Sequence, residues 1–424
     1  MRVAVAGGGL AGLTAAAGLA EAGADVTVFE REPTVGGRVR TDRRDGYLLD
    51  RGFQVLFPAY PAAKSELDLD ALDLRPFSSG AVLARTSTGE RSVLADPLRE
   101  PGALVESLFN REVTTADKLR TLLLRRDVAG RDEDETFARP DRSIREHLRD
   151  WGFSESYVEN FVAPFYGGIT LDRSLATSKR VFEYTFKSLS AGPATLPAEG
   201  MGAIPRQLRE RAERAGAAVE TETAVRAVDP AGDGATVETG TETLGVDAAV
   251  VATDPPTARD LTGVASIPTD GPGSVTQFYT LPEHAAVDTD RRIVLNVEDA
   301  APNALVPLSS VAPGYASDDR QLLCATFLDA GSVDPFDASD EALANRTREA
   351  FGAWYPERAT GGLERLATVR VPFAQFAQPP GVHETLPDVD TPEGDVYLAG
   401  DYTEWSSIQG ALRSGRTAAD AVLE

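Results

Sequence analysis

Three glycines near the N-terminus have the spacing that brings a polypeptide backbone close to phosphate groups. Gly7, Gly9 and Gly12 form the pattern G-x-G-x-x-G between the short apolar segment RVAVA and a stretch rich in alanine and leucine. In such a pattern the first glycine permits a tight turn, the second lets the backbone approach a pyrophosphate, and the third allows close packing of helix on strand. The N–H groups at the start of the following helix then bind phosphate oxygens.

An acidic residue at a suitable distance completes this pattern. Glu30 follows Gly12 by 18 residues and ends the segment DVTVFE, which predicts a second strand. A carboxylate at this point binds ribose hydroxyls in dinucleotide-binding βαβ units. The residues therefore predict a dinucleotide site, and we include their neighbours Ala11 and Arg31 among the candidate cofactor-binding residues.

A second glycine pair distinguishes between the dinucleotides. Gly36, Gly37 and Arg38 follow the second predicted strand, and NAD binding requires no such pair. The triplet offers a second backbone approach to the same pyrophosphate, with a guanidinium group that clamps it. This segment resembles the start of the superfamily that contains flavin amine oxidases, protoporphyrinogen oxidases and carotenoid desaturases. The resemblance implies that the cofactor is FAD and that these three residues contact its phosphates.

The segment DRGFQ, which begins at Asp50, resembles the same superfamily. The superfamily's glycine at this point lies against the flavin ring, so the resemblance implies that Gly52, Phe53 and Gln54 lie at the ring edge. Phe53 is equally consistent with core packing. Gln54 and Trp405 are our candidates for a direct part in the reaction, because the sequence contains no recognisable nucleophile–base pair.

The C-terminal segment contains the matching final block of this superfamily. The segment DVYLA predicts a strand, and residues 408–423 predict a helix with small residues on one face. The resemblance implies that Asp401 binds the ribitol and that Ile408, Gln409 and Ala411 lie near the ring. The positive N-terminal end of this helix favours negative charge on a reduced flavin. Because the block contains neither Cys nor His, we expect FAD to be bound non-covalently.

The middle of the chain predicts where the cofactor domain returns. Residues 217–228 alternate between apolar and polar side chains, which predicts a strand pair, and residues 246–253 predict a buried strand. In the superfamily the backbone of a valine in this region holds the adenine, and Val225 is the matching position. We expect an α/β protein with a discontinuous Rossmann-type FAD-binding domain and a second, α+β substrate domain of mixed sheet and helices. The predicted FAD-binding domain comprises residues 1–80, 196–260 and 386–424, and the substrate domain comprises residues 81–195 and 261–385, with a helical part at 100–190.

Composition and charge restrict the partners of the protein. The net charge is −24, because 66 acidic side chains outnumber 42 basic ones, and lysine occurs four times. A nucleic-acid partner requires a basic surface and is therefore not expected. This acidic, lysine-poor composition favours a protein from a salt-adapted organism, and we expect its circular dichroism spectrum to change when salt is removed. A GC-rich genome that encodes arginine in place of lysine is the alternative explanation.

The few cysteine and histidine residues give no catalytic signal. Cys324 is the one cysteine, which excludes an internal disulfide, and its apolar surroundings in the sequence predict an inert core position. Three histidines argue against a histidine-built metal site, and we expect no metal. His147 lies among charged residues, so we expect it at the surface. The segment Pro164–Ile169 (PFYGGI) resembles a turn of protoporphyrinogen oxidases.

Two segments raise the question of a membrane. Residues 3–20 are uncharged but small and glycine-rich, so we expect neither a spanning helix nor a signal segment, and we expect a cytoplasmic protein. The segment KLRTLLLRR at 118–126 is both basic and apolar, and several apolar residues precede it. The pattern favours a helix that packs its leucines on the core. The alternative is a peripheral contact of residues 105–126 with an anionic membrane.

The cofactor and the C-terminal block together indicate the chemistry. The resemblance implies an enzyme in which FAD accepts a hydride at N5. The segment GDYT resembles the block of plant-type phytoene desaturases, so we expect an apolar, phytoene-like polyprenoid substrate and either O2 or a quinone as electron acceptor. Amine oxidases of the superfamily place a lysine in the substrate domain, whereas the last lysine here is Lys187. The alternatives are a protoporphyrinogen-type or amine oxidase and, outside enzymes, a flavin-free prenyl-binding protein similar to Rab GDP-dissociation inhibitors. The oligomeric state is not indicated.

Overall fold

Two principal sheets, of five and seven strands, form the centres of two units. A computed structural model of the chain describes residues 1–95, 113–317, 319–329, 331–358 and 362–424. A group of helices packs against one end of the larger sheet. Both sheets take their strands from distant parts of the chain, so neither unit is one continuous segment.

The five-stranded sheet is parallel, and the first strand of the chain lies at its centre. Its strands are β1 (Arg2–Ala6), β2 (Asp25–Phe29), β9 (Ala218–Glu220), β13 (Ala248–Val251) and β19 (Val396–Leu398). Their spatial order is β19-β13-β1-β2-β9. Valine and alanine fill the two central strands because both faces of a parallel sheet are covered. The strand order and the parallel pairing are those of a Rossmann-type nucleotide-binding sheet.

Three helices and a small sheet cover this parallel sheet. Helix α1 (Leu10–Glu21) packs against both α9 (Ala203–Arg214) and α13 (Ile408–Leu423). The opposite face lies against an antiparallel sheet of β10 (Val225–Ala231), β11 (Gly234–Thr239) and β12 (Thr243–Val246). The uncharged N-terminal run is therefore a strand, a loop and a helix that belong to the core of this unit. In the described parts of the chain, no helix combines the length and the hydrophobicity that are needed to cross a bilayer.

The seven-stranded sheet is mixed and lies beside the parallel one. Its strands are β6 (Ala81–Ala84), β7 (Arg91–Leu94), β14 (Ser274–Pro282), β15 (Ile293–Asn296), β16 (Ala304–Val306), β17 (Arg320–Phe327) and β18 (Glu364–Val371). Their order is β18-β14-β17-β16-β15-β6-β7, and every pair is antiparallel except β15 with β6. Helix α12 (Asp340–Trp354) covers one face with Phe351 and Trp354. On the other face, Phe278 and Cys324 belong to one core with Leu13 of α1.

Shorter elements accompany the two principal sheets. They are the hairpin of β3 (Thr41–Arg44) and β4 (Tyr47–Asp50), the pair of β5 (Leu74–Pro76) and β8 (Thr195–Pro197), and helices α2 (Pro61–Glu66), α10 (Pro255–Thr262) and α11 (Leu308–Val311). Single 3-10 turns form at Glu283–Ala285, Pro313–Tyr315, Val382–Glu384 and Asp401–Thr403. Cys324 is fully buried, which confirms its predicted core position.

Residues 113–191 form a group of short helices, which we call the helical part. Its elements are α3 (Thr115–Ala129), α4 (Glu133–Phe137), α5 (Ile144–Asp150), α6 (Glu155–Tyr157), a π-helix (Val158–Val162), α7 (Ala163–Thr170) and α8 (Lys179–Ala191). Three of these helices begin with reciprocal capping boxes, formed by Thr114 with Asp117, Asp132 with Glu135 and Ser143 with Glu146. Such boxes satisfy the free N–H groups at a helix start, which explains why so short a stretch of chain starts new helices repeatedly.

The structure contradicts the predicted turn at Pro164–Ile169 and the predicted exposure of His147. Residues 164–169 lie within α7, because proline is favoured in the first turn of a helix. Gly167 allows close packing, since a Cβ atom there would lie 2.8 Å from the Cα of Arg173. His147 is buried, and its Nε2 lies 3.4 Å from a carboxylate oxygen of Glu183. Burial lowers the pKa of His147 to about 4.

The expectation that α3 packs its leucines on the core is also wrong in part. Leu124 is buried, but Leu119, Leu122 and Leu123 are exposed by 58%, 46% and 50%. The apolar residues Val105, Leu108 and Phe109, which precede this helix, lie outside the described residues. The exposed leucines therefore form an apolar strip on the outer side of α3.

Candidate active site

The N-terminal glycine loop has two glycines that packing requires and one that borders open space. Gly7 has a positive φ of 111°, and a Cβ atom there would lie 2.6 Å from the carbonyl oxygen of Ala252. A Cβ atom at Gly12 would collide with the carbonyl oxygen of Gly7. At Gly9, by contrast, a Cβ atom would have no neighbour within 4 Å. The loop therefore presents bare backbone at Gly9, where the motif expects a pyrophosphate.

The second glycine loop is hydrogen-bonded to the first. The N–H of Gly36 donates to the carbonyl oxygen of Gly8 over 2.7 Å. A Cβ atom at Gly37 would have the Cα of Gly9 as its nearest neighbour, at 3.7 Å. Gly9 and Gly37 therefore border the same space from two sides, as a double backbone approach to one phosphate group requires.

Glu30 fixes this arrangement from the end of β2. Its Oε2 accepts a hydrogen bond from the N–H of Gly8 at 2.8 Å, and its Oε1 accepts one from the N–H of Glu32 at 2.9 Å. The N–H of Thr223 donates to the backbone oxygen of Glu30, which brings the segment before Val225 beside the proposed ribose site. Arg31 is mostly exposed, and its guanidinium lies 3.4 Å from the carboxylate of Asp254 at the rim.

An ion pair joins the N-terminal and C-terminal blocks. Arg38 Nη2 donates to Asp401 Oδ1 at 2.7 Å, and Arg38 Nη1 donates to the carbonyl oxygen of Ala374 at 3.1 Å. The second carboxylate oxygen of Asp401 accepts from Ser406 Oγ at 2.8 Å. The two blocks also meet where α13 crosses α1, because Gly415 lies so close to the carbonyl oxygen of Ala11 that no Cβ atom would fit. The structure thus brings the phosphate and ribitol candidates together.

The DRGFQ segment lies between the two sheets. Gly52 has a positive φ of 92°, and a Cβ atom there would come no closer than 3.8 Å to Ser274 Oγ and 3.9 Å to Thr276 Oγ1 of β14. Phe53 is half-buried and packs edge-on against Phe77 at 6.2 Å between ring centroids. The bare backbone of Gly52 therefore packs close to the hydroxyl groups of β14, and a side chain there would only just fit.

Asp50 holds this segment through buried hydrogen bonds. Its carboxylate accepts from Thr41 Oγ1, from Tyr315 Oη at 2.8 Å and from the N–H of Met201 at 3.0 Å. Burial raises the pKa of Asp50 to about 6, and the hydrogen bonds offset only part of this effect. Because Tyr315 belongs to the second unit, Asp50 fixes the ring segment relative to both units.

Gln54 has the one polar atom of this segment that still needs a partner. Its Nε2 donates to the carbonyl oxygen of Arg38 at 2.9 Å. Its Oε1 is buried and has no hydrogen-bond partner among the described residues. A buried acceptor of this kind requires a donor, and the N–H groups of a flavin or a polar substrate group are suitable donors.

The start of α13 supplies backbone donors rather than a side-chain ligand. Ser407 caps the helix, since its Oγ accepts from the N–H of Gly410 at 2.8 Å. By helix geometry the N–H groups of Ile408 and Gln409 have no acceptor within the helix. The amide side chain of Gln409 is already bound, because it accepts from the N–H of Ala62 and donates to Glu133. Gln409 can therefore contact a cofactor only through its backbone.

Trp405 is buried in an aromatic cluster with its N–H group already bound. Its Nε1 donates to Glu133 Oε1 at 2.6 Å, and its ring packs against Tyr60, Tyr184 and Phe137. This arrangement leaves Trp405 no free polar atom for the reaction. Glu133 was missed in the sequence because its partners lie far away in the chain, and the capping box beside it indicates only a helix start.

The residues present fit FAD. Gly9 borders open space beside Gly37, the first N–H groups of α13 are free of helix partners, and Gln54 carries an unpaired acceptor among the described residues. Ile408 and Ala411 are half-buried against the same apolar cluster as Phe53. These groups suit a dinucleotide that ends in a flat, hydrogen-bonding ring.

A comparison with protein families gives one match that spans nearly the whole chain. The profile described as flavin containing amine oxidoreductase matches residues 10–423. A family of flavin enzymes agrees with the predicted cofactor and disfavours a flavin-free binding protein.

Individual relatives share this architecture at low identity. The 15-cis-phytoene desaturase of Synechococcus elongatus is 24% identical over 469 aligned residues, which cover 100% of this chain and 96% of the relative. The crystal structure of a putative protoporphyrinogen oxidase from Exiguobacterium sp. has a TM-score of 0.73 at 18% identity and covers 99% of this chain and 98% of its own. A putrescine oxidase triple mutant has a TM-score of 0.76 at 20% identity and covers 100% and 98%. These structures establish the fold, whereas the substrate class has to be inferred from the residues of the site.

Proposed function

Because the chain belongs to the flavin containing amine oxidoreductase family and is an FAD-dependent oxidoreductase, we propose that it dehydrogenates an apolar, polyprenoid substrate. One observation carries this proposal. The half-buried ring candidates Phe53, Ile408 and Ala411 belong to a single apolar cluster that also contains Ala367 and Val369 of β18. The ring candidates and β18 together thus offer an apolar surface to a substrate.

The polar groups near Gly52 support a substrate without charge. The nearest groups to Gly52 on β14 are the hydroxyls of Ser274 and Thr276. An amine substrate is a cation and needs a carboxylate or a polar anchor when it leaves water. The last lysine of the chain is Lys187, which precedes β14. The strands from β14 onward therefore contain no lysine, whereas amine oxidases of the superfamily usually place one in the substrate domain. The full-length similarity to a 15-cis-phytoene desaturase supports the same substrate class.

Bound FAD supplies the chemistry by accepting a hydride from the substrate. The chain supplies the setting for that transfer. Gly9 and Gly37 would hold the phosphates through their backbone, and Gly52 would present its backbone to the ring. The N–H groups at the start of α13 would favour negative charge on the bound flavin. The apolar cluster orients the substrate by shape and excludes water from the reacting carbon.

The test is reduction of the bound flavin by candidate substrates. The protein is purified in concentrated salt, and its visible spectrum is recorded before and after anaerobic addition of phytoene in detergent, protoporphyrinogen IX or putrescine. We expect phytoene, and neither of the others, to bleach the flavin and to give visible polyene bands. Bleaching by protoporphyrinogen or putrescine, with phytoene unchanged, would contradict the proposal. Reoxidation by air or by a soluble quinone then distinguishes the two candidate electron acceptors.

We further propose that α3 contacts an anionic membrane, where a polyprenoid substrate dissolves. Leu119, Leu122 and Leu123 are adjacent on the outer side of the helix, and the exposed Arg126 follows one turn later. The segment from Lys118 to Arg126 has four basic residues and no acidic one, in a chain whose net charge is −24. Exposed leucines beside basic residues are typical of helices that lie in a membrane interface.

Flotation with vesicles tests this contact. We expect the protein to float with vesicles of phosphatidylglycerol and phosphatidylcholine, and we expect a triple change of Leu119, Leu122 and Leu123 to Ser to abolish flotation. The change Leu423→Ser is the matched control, because Leu423 is exposed by 45% at the far end of α13. Equal flotation of the triple variant and the control variant would exclude α3 as the contact.

A further inference from the structure

A buried carboxylate of the helical part is bound to the C-terminal block. Glu133 is the first residue of α4 and is exposed by only 8%. Its Oε1 accepts from Trp405 Nε1 at 2.6 Å. Its Oε2 accepts from Gln409 Nε2 at 2.6 Å and from Tyr184 Oη at 3.1 Å. One side chain thus accepts hydrogen bonds from a loop, a helix start and α8.

The two C-terminal donors flank the groups that face the flavin. Trp405 lies between Asp401, the ribitol candidate, and the cap residue Ser407. Gln409 lies in the first turn of α13 and also accepts from the N–H of Ala62, at the start of α2. Because both side chains end on the same carboxylate, Glu133 fixes the loop and the first turn of α13 relative to each other.

Neighbouring groups make Glu133 hard to replace. Arg413 of α13 lies 3.6 Å from its Oε2 and also pairs with Asp134 and Glu404. Burial and the adjacent Glu133 raise the pKa of Tyr184 well above its usual value, so Tyr184 stays a donor. Three donors therefore converge on one buried carboxyl group, and loss of this acceptor would leave buried donors without a partner.

We infer that Glu133 is a positioning residue for the flavin, which acts through Trp405 and Gln409 on the backbone N–H groups at the start of α13. This inference rests on the flavin site proposed above. It connects the helical part, which carries the exposed leucines, to the reacting ring. The flavin's binding and its electronic environment therefore depend on a residue that touches neither cofactor nor substrate.

Two variants separate this role from a general effect on stability. Glu133→Gln keeps the size of the side chain but turns one acceptor into a donor, so one of its partners loses its acceptor. Trp405→Phe keeps an aromatic ring in the cluster, removes the N–H donor and loses part of the buried ring. The control is Glu135→Gln, an exposed change on the same helix that preserves the capping box, since Gln serves as well as Glu there.

The measurements are the dissociation constant of FAD by fluorescence titration, the visible circular dichroism of the bound flavin and its midpoint potential. We expect Glu133→Gln and Trp405→Phe to raise the dissociation constant about tenfold and to change both flavin signals. We expect Glu135→Gln to match the wild type. A merely structural role would lower the melting temperature and leave the bound flavin's dichroism and potential unchanged.

Each outcome bears on a different claim. If the wild type binds FAD and both variants keep its affinity, dichroism and potential, this inference is overturned and the flavin site stands. If the wild type takes up no FAD, the flavin site itself is overturned, and the inference with it. If Glu133→Gln fails to fold, Trp405→Phe decides the question, because it removes one hydrogen bond and leaves the carboxylate bound to Gln409 and Tyr184.

Discussion

The glycine loops and the helical part each contain a buried glutamate, and the partners of the two differ in kind. Glu30 accepts from backbone N–H groups that lie 22 and 2 residues away in the chain. Glu133 accepts from side chains that lie 51, 272 and 276 residues away. The first glutamate supports a loop made of backbone, and the second connects elements through side chains. The N-terminal glycine loop is therefore held by nearby backbone, whereas the start of α13 depends on contacts that form only in the completed fold.

Replacement of a single glycine gives the largest expected effect. A Cβ atom at Gly12 would collide with the carbonyl oxygen of Gly7, so Gly12→Ala has to displace the loop itself. We expect at least about a hundredfold loss of FAD affinity, measured by fluorescence titration, because the displaced loop carries the backbone that approaches the pyrophosphate. Gly130→Ala, at the end of α3 where a Cβ atom meets nothing within 4 Å, is the control. Unchanged affinity in Gly12→Ala would show that the loop is not specified locally.

A change at Asp50 tests the contact between the two regions and has a pH dependence of known sign. The folded-state pKa of Asp50 is raised to about 6 from 3.8, so the folded protein holds a proton that the unfolded chain has released. This group favours folding below pH 3.8, and that contribution is lost as the pH rises through 6. We expect Asp50→Asn, which cannot ionise, to gain about 2 kcal/mol relative to the wild type between pH 4 and 6.5.

Urea unfolding of both proteins at several pH values measures this difference. A stability difference between Asp50→Asn and the wild type that does not vary with pH would mean that Asp50 is not held in the buried position described. The other titrating groups are common to both proteins and cancel in the comparison, as long as they lie far enough away to act independently.

The smallest effect is expected at His147 in the helical part. Burial lowers its folded-state pKa to about 4, so the folded form prefers the neutral ring. The stabilising contribution is complete above pH 6.5 and is lost as the pH falls through 4. Glu183, 3.4 Å away, raises the pKa of His147 and Lys179 lowers it, and the pKa of about 4 already includes both effects. We expect His147→Gln to gain about 1 kcal/mol relative to the wild type between pH 6.5 and 5.5.

Hydrogen exchange at pH 4.5 and 7 locates that loss of stability. We expect the protection factors of α5 and α8, taken relative to the intrinsic exchange rate at each pH, to fall at the lower pH in the wild type, while those of β1 and β13 stay unchanged. An equal fall in both regions would contradict the idea that the helical part depends on its side-chain network more than the parallel sheet does.

The sequence predicts the cofactor region well because its signals are local. Gly12 and Glu30 contact Gly7 and Gly8 within one βαβ unit, so their spacing alone indicates the loop that the structure shows. The strands and helices before and after this loop follow from short apolar patterns in the same way. The C-terminal strand and helix could be predicted for the same reason.

The remaining parts could not be predicted, because their partners are distant. The side chain of Gln409 was expected near the ring, but it binds Ala62 and Glu133, which no nearby residue indicates. His147 looks like a surface residue because charged residues surround it in the sequence. On the helix, however, its ring lies against Glu183 of α8, whereas Glu146 and Arg149 are exposed. Gly167 looks like a turn residue, but it is small in order to pack against Arg173.

The discontinuous parallel sheet has a consequence for the making of the protein. Strand β19 pairs with β13, and α13 packs on α1, although β19 and α13 are translated long after the glycine loop. At usual rates of synthesis, the loop leaves the ribosome on the order of tens of seconds before its C-terminal partners do. Throughout that time β13 lacks one neighbouring strand and α1 lacks a covering helix. Cofactor loading is therefore a step that follows translation, and until then the growing chain depends on chaperones or on partial structure to protect an unfinished apolar surface.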